Sequence, residues 1–171
     1  MDVHSLVDKF LELADAEVGQ GPKHPTNPIP ELEAPTDEFF EKYAFVCKDT
    51  GYVEFLNSYS GAYVIWPDDQ LMIDIFGFSE VSSPIITDEY PVIDDKGYLT
   101  FCSVLFRVKP GGGVENIQTL GFAFDATSQR KSGVYRQLVG REPGSPTKTD
   151  WYCATFLELF SELIDKRGRL A

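Results

Sequence analysis

The chain has 171 residues, 43% of them hydrophobic, and 27 acidic against 15 basic side chains leave a net charge of −12. That length suits one domain with its own core and is short for two. Phosphate neutralisation needs clustered bases, so nucleic-acid binding is set aside. No apolar run reaches the roughly 20 residues of a membrane helix, so no membrane partner is expected.

Residues 1–18 place Val3, Leu6, Val7, Phe10, Leu11 and Ala14 at helical spacing and are expected to form an amphipathic helix. Residues 19–35 carry Pro22, Pro25, Pro28, Pro30 and Pro35, which sustain neither a helix nor a central strand, and are expected to be a linker. A second helix is predicted from Thr36-Asp37-Glu38 to about Cys47, since a threonine cap and first-turn acids precede Phe39, Phe40 and Tyr43.

The stretch from Thr50 to Trp66 has the strongest pattern. Tyr52, Phe55, Leu56 and Tyr59 fall at i, i+3, i+4 and i+7 and must share a buried helical face. Gly61 is suited to end that helix in a left-handed conformation, and Ala62–Trp66 then reads as a strand. A hairpin to residues 70–75 follows across Pro67-Asp68-Asp69. Residues 78–90 read as loop with a short strand. Asp94-Asp95-Lys96-Gly97 is a turn by composition, leading into a long strand over 98–108.

Gly111-Gly112-Gly113 lacks the following lysine of a phosphate-binding loop and reads as a hairpin tip or a gap between strands. Strands at 120–125 and 133–139 pair as a hairpin across a polar turn, and residues 141–149 read as a polar loop. Thr155-Phe156-Leu157-Glu158 is a capping box that starts the last helix, and Gly168 stops it. Strands between terminal helices, with no βαβ alternation, give an α+β class with an antiparallel sheet.

Catalytic signals are sparse. His4 and His24 are isolated, no zinc or EF-hand spacing occurs, and Cys47, Cys102 and Cys153 are expected to be buried reduced thiols. No enzyme activity, cofactor or metal is therefore assigned, although the acid-rich 68–95 region keeps a metal-dependent hydrolase as an alternative. Charge is the more telling property. Residues 1–107 hold 20 acids against 6 bases, and no lysine or arginine lies between Lys48 and Lys96. A basic protein partner is the complementary expectation. The predicted docking residues are Asp68, Asp69, Asp88, Glu89, Asp94 and Asp95, with Trp66, Tyr90 and Tyr98 as aromatic anchors.

The order of elements resembles the SMI1/KNR4-like (SUKH) superfamily. The carrying stretches are Tyr52-Val53-Glu54-Phe55-Leu56-Asn57 through Gly61-Ala62, Leu120-Gly121-Phe122-Ala123-Phe124-Asp125 followed by Gly133-Val134-Tyr135, and Ala154-Thr155-Phe156-Leu157-Glu158-Leu159-Phe160 through Ile164. The Leu-Pro that commonly precedes the first motif is replaced by Lys48-Asp49-Thr50, and the usual Asn-Gly-Gly turn is spread over Asn57–Gly61. The resemblance implies that residues 36–171 form one domain with a curved, largely antiparallel sheet packed on helices. It also implies a bacterial immunity protein that binds and blocks a cognate toxin, often a nuclease, or else a regulatory or scaffolding protein of the same fold. Residence in the cytoplasm is expected from the absence of a signal-like start.

Overall fold

Seven strands among the described residues lie side by side in chain order, each antiparallel to its neighbour. They are β1 (Ala16–Gly19), β2 (Gly61–Trp66), β3 (Leu71–Phe76), β4 (Tyr98–Arg107), β5 (Ile117–Asp125), β6 (Val134–Val139) and β7 (Pro146–Cys153). A computed structural model describes residues 1–13, 16–19, 35–66, 71–82, 93–94, 96–107, 117–139 and 146–170. The helices are α1 (Val3–Leu11), α2 (Asp37–Lys42), α3 (Thr50–Ser58), α4 (Phe78–Ser82) and α5 (Phe156–Asp165), so the α+β class with an antiparallel sheet holds.

The strands alternate as half-buried strands must. Leu71, Ile73 and Ile75 of β3 are buried in the main core, as are Leu120, Phe122 and Phe124 of β5, whereas Met72, Asp74 and Phe76 are half-buried. Ala123 and Tyr135 point the other way and join Tyr98 in a separate apolar cluster. The helices α1, α3 and α5 close the first face through Phe10, Tyr52, Phe55, Leu56, Phe156 and Phe160.

Tyr52 is the centre of that packing. Its ring centroid lies 5.0 Å from Phe101, 5.3 Å from Phe124 and 5.1 Å from Phe156, and its hydroxyl donates to the Phe76 carbonyl at 2.9 Å. Fully burying such a ring stabilises the fold by about 1.5–3 kcal/mol, and the hydrogen bond removes the cost of a dry hydroxyl. The β4–β5 register slips between Thr100 and Cys102, and this bulge is where Phe101 stacks on Phe124 at 4.3 Å.

Helix ends follow the expected chemistry. Asp2, Thr36, Asp49 and Thr155 each accept a backbone N–H of the first turn of α1, α2, α3 and α5. Glu158 returns its carboxylate to the Ala154 N–H at 2.8 Å, one residue earlier than the standard box. At the far end of α5 the Arg167 and Gly168 N–H groups donate to Ile164 and Leu163 carbonyls, with both residues at positive φ. That is the paired bonding of a Schellman stop.

Several sequence expectations change. The first helix ends at Leu11 rather than 18: the Leu13 and Ala16 N–H groups donate to Phe10 and Leu13 carbonyls, turning the chain so that Ala16–Gly19 pairs with the otherwise open edge of β2. The second helix ends at Lys42 and is followed by a 3₁₀ turn at Val46–Lys48. Gly61 has φ +145°, so it opens β2 in a glycine-favoured extended form instead of capping α3 in the left-handed helical form. Residues 78–82 are helical rather than loop, and the edge strand 146–153 takes in the last four residues of the expected 141–149 loop. Nearly all of the proline-rich segment and the whole Gly111–Gly113 stretch lie outside the described residues.

Candidate partner-docking surface

Of the predicted docking residues, Asp68, Asp69, Asp88, Glu89, Tyr90 and Asp95 lie outside the described residues. The other three are placed, and each is committed to the fold. Trp66 ends β2 opposite Leu71 and is 7% exposed in the main core. Tyr98 is equally covered: its ring packs on Tyr135 at 5.2 Å, and the Arg130 guanidinium lies 4.2 Å above it. Neither ring offers the free surface expected of an interface anchor, because strand alternation points Trp66 at the helices and Tyr98 into the second cluster.

Asp94 is a turn-builder. Its Oδ1 accepts the Lys96 and Tyr98 N–H groups at 2.9 and 3.0 Å, and its Oδ2 accepts Gln137 Nε2 at 3.1 Å. Gln137 is itself buried, and its Oε1 accepts the Thr100 hydroxyl at 3.2 Å. A carboxylate that bridges a turn and a buried amide has little capacity left for a partner.

Asp125 is the counterpart at the end of β5. Burial would raise its pKa, but the Thr127 hydroxyl, the Arg130 and Thr127 N–H groups and the Arg130 charge together hold the carboxyl below its ordinary value. Arg130 Nη1 donates to Asp125 Oδ1 at 2.8 Å, and Nη2 donates to the Lys96 carbonyl at 2.7 Å. These bonds tie the β5–β6 hairpin to the turn before β4.

Two other acids inside the base-free interval are less heavily committed. Asp74 interrupts the apolar run of β3 on the face opposite the main core, and Glu80 lies on α4. Both are half-buried. Burial raises the Asp74 pKa, and burial followed by the Asp74 charge raises that of Glu80, against a weak pull from the Gly77 N–H, which donates to Glu80 Oε1 at 3.3 Å. The buried Ser60 and Ser79 hydroxyls near this corner have no hydrogen-bond partner among the described residues. Chemically the pair holds a proton to unusually high pH or, once ionised, attracts a cation.

A second acidic patch lies over α1 and α3. His4 Nε2 is 3.0 Å from Glu54 Oε1, and His4 Nδ1 shares a 2.7 Å hydrogen bond with the Tyr59 hydroxyl. Burial, then the charges of Asp8, Glu54 and Asp2, raises the Tyr59 pKa, which places three exposed acids around one ring.

Asp74 and Glu80 were legible only as members of a charge count, although a lone acid in Leu71-Met72-Ile73-Asp74-Ile75-Phe76 is the signal that could have singled one out. Of the thiols, Cys102 is buried as expected, Cys153 is half-buried and Cys47 is exposed, because Cys47 falls in the 3₁₀ turn outside the sheet. Among the described residues no group of three or more His, Cys, Asp or Glu side chains is placed to hold a metal ion, and no helix is long and apolar enough to cross a membrane. No family model, curated protein or solved structure matches the chain.

Proposed function

We propose that this chain is a non-enzymatic binding protein that docks a basic protein partner through its acidic side, in the manner of an immunity protein that blocks a cognate toxin. The observation that carries this reading is the stretch from Asp49 to Asp95, ten acids with no lysine or arginine, within which Glu80 and Asp74 are half-buried and electrostatically unfavourable to one another. A lysine or arginine brought against that pair neutralises the repulsion and is held by charge-assisted hydrogen bonds. The remaining acids steer a cationic surface toward the site, which raises the association rate more than the lifetime of the complex. The toxin-blocking role rests on the superfamily resemblance together with this charge.

Co-expression with the product of the neighbouring gene, followed by stopped-flow association at several salt concentrations, tests the reading. The expected result is a complex whose association rate falls steeply with salt and whose formation abolishes the partner's toxicity. A partner that is acidic, or an association rate indifferent to salt, would overturn it.

A further inference from the structure

The turn of the β5–β6 hairpin has a concave site of its own. At the end of the β5–β6 hairpin, facing the 3₁₀ turn before α3, a cavity of about 40 Å³ opens to solvent, which is room for a few water positions. Phe45 and Phe124 form its apolar wall, and the Asp125–Arg130 ion pair lies at its base. That base carries no net charge, because Arg130 lies against Asp125 while Thr127 supplies two further donors to the same carboxylate.

What remains at the mouth is cationic and undersupplied with acceptors. Lys48 and Lys131 are both exposed and neither belongs to an ion pair among the described residues. Lys131 Nζ is held 3.4 Å over the Trp151 ring, a contact that restrains the ammonium without filling its hydrogen-bond donors. Ser128 and Ser132 also line the cavity, and their hydroxyls make no hydrogen bond among the described residues. Ser128 sits at φ +57°, a conformation a serine adopts only where the surrounding turn imposes it, and Asp125 clamps that turn through four hydrogen bonds.

We propose that this cavity is a binding site for a compact tetrahedral oxyanion, phosphate or the head of a phosphate monoester. Two ammonium groups supply the charge, two hydroxyls supply directed donors, and the neutral base removes the repulsion that a bare Asp125 would impose. The site does not depend on the acidic docking reading, and its partner has the opposite charge.

The test is a titration of the full chain with inorganic phosphate and, separately, with O-phosphoserine, followed by backbone amide chemical shifts at constant ionic strength. Saturable shifts at Ser128, Arg130, Lys131 and Gly133 are expected, with the dissociation constant rising at least tenfold in Lys48→Gln/Lys131→Gln. The tighter of the two arms assigns the site to the free ion or to an esterified group. An unchanged melting temperature keeps the double variant informative, and the single Lys48→Glu reversal, at an exposed position, provides a second variant that is expected to abolish binding. Absence of saturation with both ligands, equal shifts with sodium chloride alone, or affinity retained in both variants would overturn the proposal.

Discussion

Asp49 fastens the start of α3 to the start of α5 through Phe156: one carboxylate oxygen accepts the Phe156 N–H at 2.6 Å while the other accepts the Tyr52 N–H at 3.0 Å. Asp49 and Phe156 are 107 residues apart, so a side chain that caps α3 locally also joins two distant parts of the chain. Burial raises the Asp49 pKa against the Phe156, Tyr52 and Gly51 N–H groups, which lower it.

Asp49→Ala removes two capping bonds and leaves two buried N–H groups without acceptors, so a loss of about 2–3 kcal/mol is expected. Asp49→Asn keeps one oxygen for one N–H but turns an amide donor toward the other, and its stability falls between the two. Urea unfolding with a common m-value checks both. An alanine variant within about 0.5 kcal/mol of the parent would show that water caps these helices equally well.

The legible parts of the fold were those whose side chains repeat. Phe156, Leu159, Phe160 and Leu163 are all fully buried, as their helical spacing required, and so are Tyr52, Phe55 and Leu56. Edge strands escaped because their pattern is weak: β7 begins with Pro146 and runs through Lys148, Thr149 and Asp150, and an edge tolerates proline at its first residue and polar side chains along its length. The site was less legible because charge in a turn reads alike whether it faces a partner or builds the turn, and Asp94 does the latter. Trp66 had a core-facing strand position from the start, which alternation with Val64 already indicated.

Two glycines separate tolerant from intolerant backbone. A Cβ on Gly77 would lie 2.0 Å from the Ser60 carbonyl oxygen, a backbone atom that cannot rotate away, whereas a Cβ on Gly51 would meet the Leu157 side chain at 2.6 Å. Gly77→Ala is therefore expected to cost at least about 2 kcal/mol through displaced backbone. In Gly51→Ala the half-buried Leu157 can shift, and the gain in helix propensity, about 1 kcal/mol, offsets much of the strain. Thermal unfolding should lower Tm clearly for the first and little for the second; the reverse order would refute the contact geometry at Ser60.

The Asp74–Glu80 corner yields a pH signature that a solvated acidic rim would not. Unfolded carboxyls titrate near pH 4, while burial, and for Glu80 the neighbouring Asp74 charge, keeps these two protonated to higher pH in the folded chain. Above about pH 4 the folded state thus binds more protons than the unfolded state, so this contribution to stability falls as pH rises through the folded values and is fully present only below the unfolded ones. Asp74→Asn/Glu80→Gln removes the titration while keeping the shape of both side chains. The variant should match the parent near pH 4 and exceed it at pH 8 by on the order of 1 kcal/mol, a figure reduced from the full shift because both groups are partly exposed. If a basic partner docks here, the same substitution also weakens binding most at high pH, where the parental pair is ionised. Urea midpoints at pH 4, 6 and 8 decide the matter: a constant difference between variant and parent would mean that the two carboxyls titrate as ordinary surface acids, and the corner would lose its electrostatic reason to receive a cation.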